Sequence, residues 1–468
     1  MVLARLITQV DMATYRQVLY IGPLAVSLLE LGISGTIYRY ARVFTGDSLK
    51  VFYWETLCVT TALGVLGSLV LVALAYPLAR TFDNPALATA LLITGSYPLL
   101  TMPFMLVRPL LICNGYPLRA TLLEAFFALA TSFAMIVPLW SGWSLNAALG
   151  FWIGVNACRL PFVGWYMARE LKGFIPHWNR DVLKQVWDYI WPLQLSRLPG
   201  IAIGYFDKVC TSLFLSKESF AAYSLGAREL PFMNQIAFSI SSVTIPKMTE
   251  SFQRGQVAEV CALWRKACFA TALATFLPAA FCVWYAQPIV RVMFTALYDE
   301  SAIPFAVFAA ITFLRVVDYG SLAKAMGDNR IVLVGSVFAA LTGIPLSLGL
   351  TWLWGVKGIS FSLLLCNILL IAYYLWRYRK IMKCSLRCFF PYIEMGMVLL
   401  LSFVCIGIAH GLVGRVISIE TQTHMIPLAV SLGGVFVVAG TLYAGAFFLA
   451  RYLMPQRFTD IRLPGFKR

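Results

Sequence analysis

The chain has 468 residues, of which 60% are hydrophobic and only 12% are charged. Soluble domains carry about 25% charged residues, so this composition excludes a soluble globular protein. The formal net charge of +16 would suit a nucleic-acid-binding protein, but most Lys and Arg lie in short loops between long apolar runs. The composition therefore predicts an all-α polytopic membrane protein and no nucleic-acid partner.

Apolar runs of about 18 residues or more recur along the whole sequence, each long enough to cross roughly 30 Å of hydrocarbon. They predict thirteen membrane spans, at about 15–37, 55–78, 87–107, 120–140, 147–168, 188–213, 219–245, 267–286, 300–319, 331–353, 358–376, 391–412 and 427–450. The connections between the spans are short and leave no room for a soluble domain.

Lys and Arg cluster in alternate loops, including 39–50, 169–184 and 377–387, and in the tail at 451–468. Cytoplasmic loops of membrane proteins retain positive charge. The basic loops and the C-terminus are therefore expected in the cytoplasm. The three histidines are far apart and the 11 cysteines show no paired spacing, so the sequence predicts neither a metal site nor a cofactor.

The second half of the sequence repeats the first at an offset of 208 to 211 residues. Two pairs of a rare residue keep this register, because Trp54 matches Trp264 and Trp165 matches Trp376. Six spans in a copy give both copies the same orientation, so the repeat is parallel, about an axis along the membrane normal. The predicted parts are an N-terminal lobe (1–170), a cytoplasmic linker (171–187), a C-terminal lobe (188–380) and a segment with two added spans and a basic tail (381–468).

The first lobe holds five predicted spans, whereas the second holds six. The span at 188–213 has no partner, and residues 1–7 align with the end of that helix. We therefore expect either a first helix encoded upstream of residue 1 or a native chain whose first lobe is short.

A resemblance to a known family lies between Tyr205 and Gly255. Its elements are an acidic–basic pair, a turn with Glu, a small residue before Tyr, and Pro before Lys, at Asp207-Lys208, Glu218, Ala222-Tyr223 and Pro246-Lys247. This pattern resembles the polysaccharide (Wzx-like) flippases of the multidrug/oligosaccharidyl-lipid/polysaccharide exporter superfamily.

The resemblance implies a transporter, not an enzyme, in the plasma (inner) membrane. Its substrate would be a polyprenyl-diphosphate-linked oligosaccharide, a repeat unit of O-antigen, capsule or exopolysaccharide. Two lobes would open alternately around a cavity lined by the first two helices of each lobe, here 15–37, 188–213 and 219–245. Membrane lipid, a polysaccharide polymerase and a chain-length regulator are the further partners it implies.

Charged residues inside these spans are the candidate site. An arginine at the bilayer centre costs roughly 2.5–3.5 kcal/mol, so such a residue is expected to face a polar space. Because a guanidinium group suits phosphate oxygens, Arg197, Arg228 and Arg159 are candidate ligands of the diphosphate. Alternatively they pair with carboxylates such as Glu30 or Glu229 and fix helix packing. Glu30 has two open roles, coupling of transport to protons and pairing with an arginine.

Other contacts are also expected. Asp207 and Lys208 should form a structural pair, and Arg315 and Asp318 should satisfy each other at i,i+3 spacing. Asn156 and Asn367 should bridge helices rather than bind sugar.

A drug or cation antiporter of the same superfamily is the alternative function. That class favours carboxylates, not arginines, on the cavity-lining helices. A membrane glycosyltransferase or polymerase would need acid–base or metal-binding carboxylates and a larger loop. The sequence does not separate the leading hypothesis from a flippase for peptidoglycan precursors.

Overall fold

The computed structural model describes residues 2–30, 32–41, 43–326, 328–414 and 425–453. These residues form helices joined by short turns and contain no β-strand, which confirms the predicted all-α fold. The chain divides into two compact units, Met1–Ala221 and Ala222–Arg468. The predicted lobe boundaries remain a prediction.

The first unit is built from eleven helices and the first half of a twelfth. They are α1 (Leu3–Leu6), α2 (Gln9–Leu29), α3 (Ile33–Tyr40), α4 (Asp47–Thr81), α5 (Pro85–Thr94), α6 (Tyr97–Thr101), α7 (Val107–Cys113), α8 (Pro117–Trp140), α9 (Leu145–Ala157), α10 (Arg159–Glu170), α11 (Arg180–Phe214) and α12 (Lys217–Gly226). A short 3₁₀ helix, Phe104–Leu106, precedes α7.

The second unit continues from the end of α12. Its helices are α13 (Met233–Gln253), α14 (Val257–Trp284), α15 (Ala286–Met293), α16 (Ala302–Leu314), α17 (Tyr319–Ala325), α18 (Asn329–Met382), α19 (Leu386–Phe389), α20 (Tyr392–Gly414) and α21 (Met425–Leu453). A 3₁₀ helix, Ala296–Ser301, precedes α16.

Each unit has its own hydrophobic core. Aromatic side chains lie at the centre of both, Tyr40 and Phe52 in the first unit and Trp264, Tyr319 and Tyr378 in the second. All five are at least nine-tenths buried. Close packing of these large side chains fixes the positions of the surrounding helices within each unit.

Polar side chains determine where two site-bearing helices begin. The Thr8 Oγ1 accepts the Asp11 N–H at 3.1 Å before α2, and the Asn179 Oδ1 accepts the Asp181 N–H at 3.0 Å before α11. Such caps satisfy amide groups that have no partner within the helix.

Nine helical segments of the described residues are long and apolar enough to cross a membrane. They overlap ten of the thirteen predicted spans, because Arg330–Met382 covers two. The helices α2, α11 and α13 have 21, 35 and 21 residues but fall outside this set because of their more polar composition. These three helices overlap the spans that were expected to line a cavity.

The predicted span at 219–245 is not one helix. The helix α12 ends at Gly226 and α13 begins at Met233, with Phe232 in the left-handed region at φ +67°. Pro231 has no N–H and disfavours a helical conformation in the residue before it. Arg228 therefore lies in a non-helical segment, and the prediction that placed it inside a helix was wrong.

The predicted span at 15–37 is also interrupted. The helix α2 ends at Leu29, Glu30 follows as its C-cap, and Gly32 precedes α3 at φ +71°. Because a left-handed backbone suits glycine, the chain turns here. Glu30 therefore lies at a helix end, where its side chain can reach a neighbouring helix.

The helix α18 reverses direction at Gly355, which has a φ of +56°. The hydroxyls of Ser347 and Ser362 lie 2.9 Å apart. In a straight helix, 15 residues would separate them by about 22 Å. The two halves are therefore antiparallel, and they correspond to the predicted spans at 331–353 and 358–376.

Three helices from α12 onward begin at nearly constant distances along the sequence from three earlier helices. The distances are 208, 210 and 212 residues for the pairs Gln9 and Lys217, Asp47 and Val257, and Pro117 and Asn329. These starts support the predicted repeat, although the two-lobe arrangement remains a prediction.

Candidate functional site

Arg197 and Glu30 form an ion pair within the first unit. The Arg197 Nη2 lies 3.3 Å from the Glu30 Oε2. The Glu30 side chain is 11% exposed and the Arg197 side chain is 41% exposed. A guanidinium carries five N–H donors, and Glu30 is the acceptor that Arg197 reaches among the described residues. Within the part of the chain that the structure describes, the other donors of the Arg197 guanidinium have no acceptor.

Gln194 lies three residues before Arg197 on α11. Its Nε2 donates to the Leu28 carbonyl oxygen at 3.2 Å, which joins α11 to the last turn of α2. Its Oε1 is buried and has no hydrogen-bond partner within the described part of the chain. The sequence analysis did not identify Gln194 as a candidate site residue. A polar amide side chain in an apolar run, three residues from Arg197, was the signal that could have identified it.

A buried polar network joins the first half of α2 to the end of α11. The Gln17 Nε2 donates to the Ser212 Oγ at 2.7 Å, and the Asn84 Nδ2 donates to the Gln17 Oε1 at 2.7 Å and to the Thr14 Oγ1 at 2.9 Å. Such networks fix one packing arrangement when their members are satisfied. The sequence analysis missed this network, because its residues are far apart in the chain.

Glu229, Arg315 and Asn367 meet in the second unit. The Arg315 Nη1 donates to the Glu229 Oε1, and its Nε donates to the Asn367 Oδ1 at 2.9 Å. The predicted pairing of Arg315 with Asp318 was wrong. The helix α16 ends at Leu314, so the i,i+3 spacing does not place both residues on one helical face. Asn367 bridges helices, as predicted. Asn156 does not, because its Nδ2 donates to the Trp152 carbonyl oxygen within α9 at 2.8 Å and its Oδ1 has no partner among the described residues.

The space beside this cluster is small. A crevice lined by Glu229, Thr275 and Arg315 holds about 10 Å³, which is roughly one water molecule. It has no room for a sugar or a diphosphate in this conformation. Arg228, the residue before Glu229, is exposed, and its main-chain N–H donates to the Gly226 carbonyl oxygen at 2.7 Å.

Arg159 lies between two aromatic rings at the start of α10. Its guanidinium carbon is 5.1 Å from the ring centre of Phe104 and 5.4 Å from that of Phe127. Cation–π contacts of this kind stabilise a cation among apolar side chains. The geometry supports a packing role for Arg159, and its role as a diphosphate ligand remains a prediction.

Asp207 and Lys208 form the predicted structural pair. The Lys208 Nζ donates to both carboxylate oxygens of Asp207, at 2.9 and 3.0 Å. Asp207 is buried, so the neighbouring ammonium group offsets the cost of burying its charge.

The sequence of the chain is also similar to a known protein family. Residues 2–303, more than half of the chain, match the family described as polysaccharide biosynthesis protein. The chain belongs to this family. The resemblance inferred from the residues around Asp207 is therefore confirmed. No curated protein matches this polysaccharide biosynthesis protein by sequence.

Three solved structures have a similar fold. The lipid II flippase MurJ, in an inward closed conformation, shares 13% identity over 96% of this chain and 94% of its own, with a TM-score of 0.72. An inward-facing multidrug resistance MATE family transporter of the MOP superfamily shares 16% identity over 80% and 92%, with a TM-score of 0.63. A MOP superfamily transporter from Pyrococcus furiosus shares 14% identity over 81% and 90%, with a TM-score of 0.54. At these identities the likeness establishes the shared fold alone.

Proposed function

We propose that this polysaccharide biosynthesis protein is a flippase for polyprenyl-diphosphate-linked oligosaccharide repeat units. It moves them from the inner to the outer leaflet of the plasma membrane by alternating access. The observation that carries the proposal is the half-exposed Arg197 on α11, a helix more polar than the nine apolar segments. A fixed cation on such a helix, whose remaining donors have no acceptor among the described residues, suits an anionic lipid head group.

In this proposal Arg197 binds the diphosphate and Glu30 holds the guanidinium when no substrate is present. Arginine binds phosphate oxygens through two parallel hydrogen bonds, and the Arg197 guanidinium carries the N–H donors to form them. Glu30 then serves as a charge partner. Outward movement of each negative charge gains about 2.3 kcal/mol per 100 mV of inside-negative potential, so transport needs no nucleotide.

A drug or cation antiporter is the second candidate, favoured by the similarity to the MATE family transporter. A cationic substrate needs a carboxylate that is free to receive it. Glu30 contacts Arg197 and Glu229 contacts Arg315, so both carboxylates face a cation of the protein itself. Membership of the polysaccharide biosynthesis family also favours the flippase.

Transport can be measured with the purified full-length chain in liposomes that contain a polyprenyl-diphosphate-linked oligosaccharide. We expect the protein to expose inner-leaflet sugar to an external glycosidase, and protein-free liposomes to keep it protected. Failure to expose sugar, together with uptake of a lipophilic cation by the same liposomes, would assign the chain to the antiporters.

Replacement of Arg197 tests the role of this residue. Arg197→Ala should abolish sugar exposure and surface polysaccharide, because the head group loses its cation. Arg197→Lys should restore transport in part, since lysine keeps the charge without the planar fork. Arg169→Ala is the matched control, because Arg169 is an exposed arginine at the end of α10. Full polysaccharide display in Arg197→Ala cells with normal protein levels would refute the assignment.

A further inference from the structure

The first unit contains an apolar cavity of about 500 Å³ between α3, α4 and α11. Its size falls within the roughly 300–1,000 Å³ of ligand pockets. Ile33, Val59, Val186 and Ile190 form much of its wall. Neither Arg197 nor Glu30 is among its lining residues, although Ile33 and Ile190 lie within the spans 15–37 and 188–213 that were expected to line the transport cavity.

A buried carboxylate lines this cavity and has one oxygen without a partner. Glu55 on α4 is only 3% exposed. Its Oε1 accepts the Asn179 N–H at 2.6 Å, whereas its Oε2 is buried and has no hydrogen-bond partner among the residues described. Because an unsatisfied buried acceptor is costly, a donor supplied by a ligand would stabilise it.

Two cations lie at the same end of the cavity. Arg180 and Lys184 are exposed, line the cavity and are one turn apart on α11. Arg180 follows Asn179, the residue whose N–H the Glu55 carboxylate accepts. In the described part of the chain, no group forms an ion pair or hydrogen bond with the side chain of Arg180 or Lys184. The cavity is thus lined by apolar side chains, by the Glu55 carboxylate and by the cations of Arg180 and Lys184.

The position of this cavity fits lipid head groups. Trp187 lines it, and Trp191, one turn further along α11, stacks on Trp187 with ring centres 5.9 Å apart. Both rings are exposed, and exposed tryptophans are enriched at membrane–water interfaces. The basic loop at 169–184 assigns this end of α11 to the cytoplasmic leaflet.

We propose that the cavity binds a phospholipid with a primary ammonium head group, of the phosphatidylethanolamine class. An acyl chain occupies the apolar walls, Arg180 and Lys184 bind the phosphate, and the ammonium donates to the Glu55 Oε2. Free phosphate would leave the apolar walls empty. An anionic lipid without an ammonium group would leave Glu55 unsatisfied. The inference does not depend on the identity of the transported substrate.

The test measures lipid retained by the full-length protein. Detergent-purified protein is equilibrated with equal amounts of phosphatidylethanolamine, phosphatidylcholine and phosphatidylglycerol, and native mass spectrometry counts the adducts. We expect phosphatidylethanolamine to exceed phosphatidylcholine by about tenfold, since a quaternary ammonium has no N–H to donate to Glu55. Excess inorganic phosphate should not displace it.

Variants separate the contributions of the groups in this cavity. Glu55→Gln retains an oxygen for the Asn179 N–H and should remove most of the preference over phosphatidylcholine. The double variant Arg180→Ala, Lys184→Ala should lower retention of all three lipids. The double variant Arg169→Ala, Lys172→Ala is the matched control, because it removes the same charge from residues that do not line the cavity.

Equal retention of the three lipids by the wild-type protein would overturn the proposal, as would a preference for phosphatidylglycerol. An unchanged preference in Glu55→Gln would do the same. Should that variant fail to fold, Val59→Phe provides the second test, because it fills the cavity and leaves every charge in place. Undiminished phosphatidylethanolamine retention in Val59→Phe would place the lipid elsewhere.

Discussion

At the residue scale, the contact between Arg197 and Glu30 is single and partly open to its surroundings. One guanidinium nitrogen meets one carboxylate oxygen at 3.3 Å, whereas a bidentate pair would occupy both oxygens. Partly exposed pairs of this kind contribute about 0.2–1 kcal/mol. Such an interaction positions the arginine and can be exchanged for a phosphate without a large loss of free energy.

Glu30→Gln should therefore tighten the binding of a polyprenyl diphosphate. Loss of the competing carboxylate corresponds to a gain in affinity of up to about fivefold. Titration of the purified variant with the sugar-free lipid would measure this gain. Glu124→Gln is the matched control, because Glu124 forms a comparable pair with Arg108 at 3.2 Å in the same unit. Weaker binding in Glu30→Gln would mean that Glu30 itself takes part in binding.

At the element scale, the interruption between α12 and α13 is held by a close approach of two backbones. The Ser301 Oγ donates to the Ala222 carbonyl oxygen at 2.6 Å. A Cβ at Gly226 would lie 2.2 Å from the Ser301 carbonyl oxygen. Only glycine allows the end of α12 to lie this close to the 3₁₀ helix Ala296–Ser301.

Gly226→Ala should destabilise the protein, because one of the two backbones must shift. Overpacking of this kind costs about 1–3 kcal/mol, and we expect the melting temperature in detergent to fall by several degrees. Gly407→Ala on α20 is the control, since a Cβ there meets nothing within 4 Å and alanine favours the helix. Equal melting temperatures for the two variants would show that the contact with Ser301 is not close in solution.

At the scale of the whole molecule, the alternation of basic loops predicts one orientation of the chain in the membrane. The loop after α10 is basic, whereas the turn between α8 and α9 at 141–144 carries no charge. Because positive loops stay in the cytoplasm, these two connections should lie on opposite sides. The proposed direction of transport requires the same orientation.

Reporter fusions test this orientation. A fluorescent protein joined after Lys172 should be bright, and alkaline phosphatase joined after Gly142 should be active, because each reporter works on one side of the membrane. Immunoblots control for the amount of each fusion. Active alkaline phosphatase after Lys172 would invert the proposed topology.

The sequence was sufficient to predict the helical fold, because long apolar runs have few structural solutions in lipid. It also singled out Arg197 and Glu30 as candidate site residues, and the contact between them was one of the two alternatives left open. The pairing of Arg315 with Glu229 and Asn367 could not be predicted, because 86 and 52 residues separate the partners. The break at Arg228 was missed since the apolar run continues through it, although Pro231 signalled a helix end.

The hairpin at Gly355 has a practical consequence for work on intact cells. Gly355 is the one non-helical residue between the two halves, so the turn contains no extended segment. A protease cuts within a segment of several extended residues, and an epitope tag needs flexible residues on both sides of its insertion point. Position 355 is therefore a poor site for surface labelling and limited digestion, although it lies between the predicted spans 331–353 and 358–376.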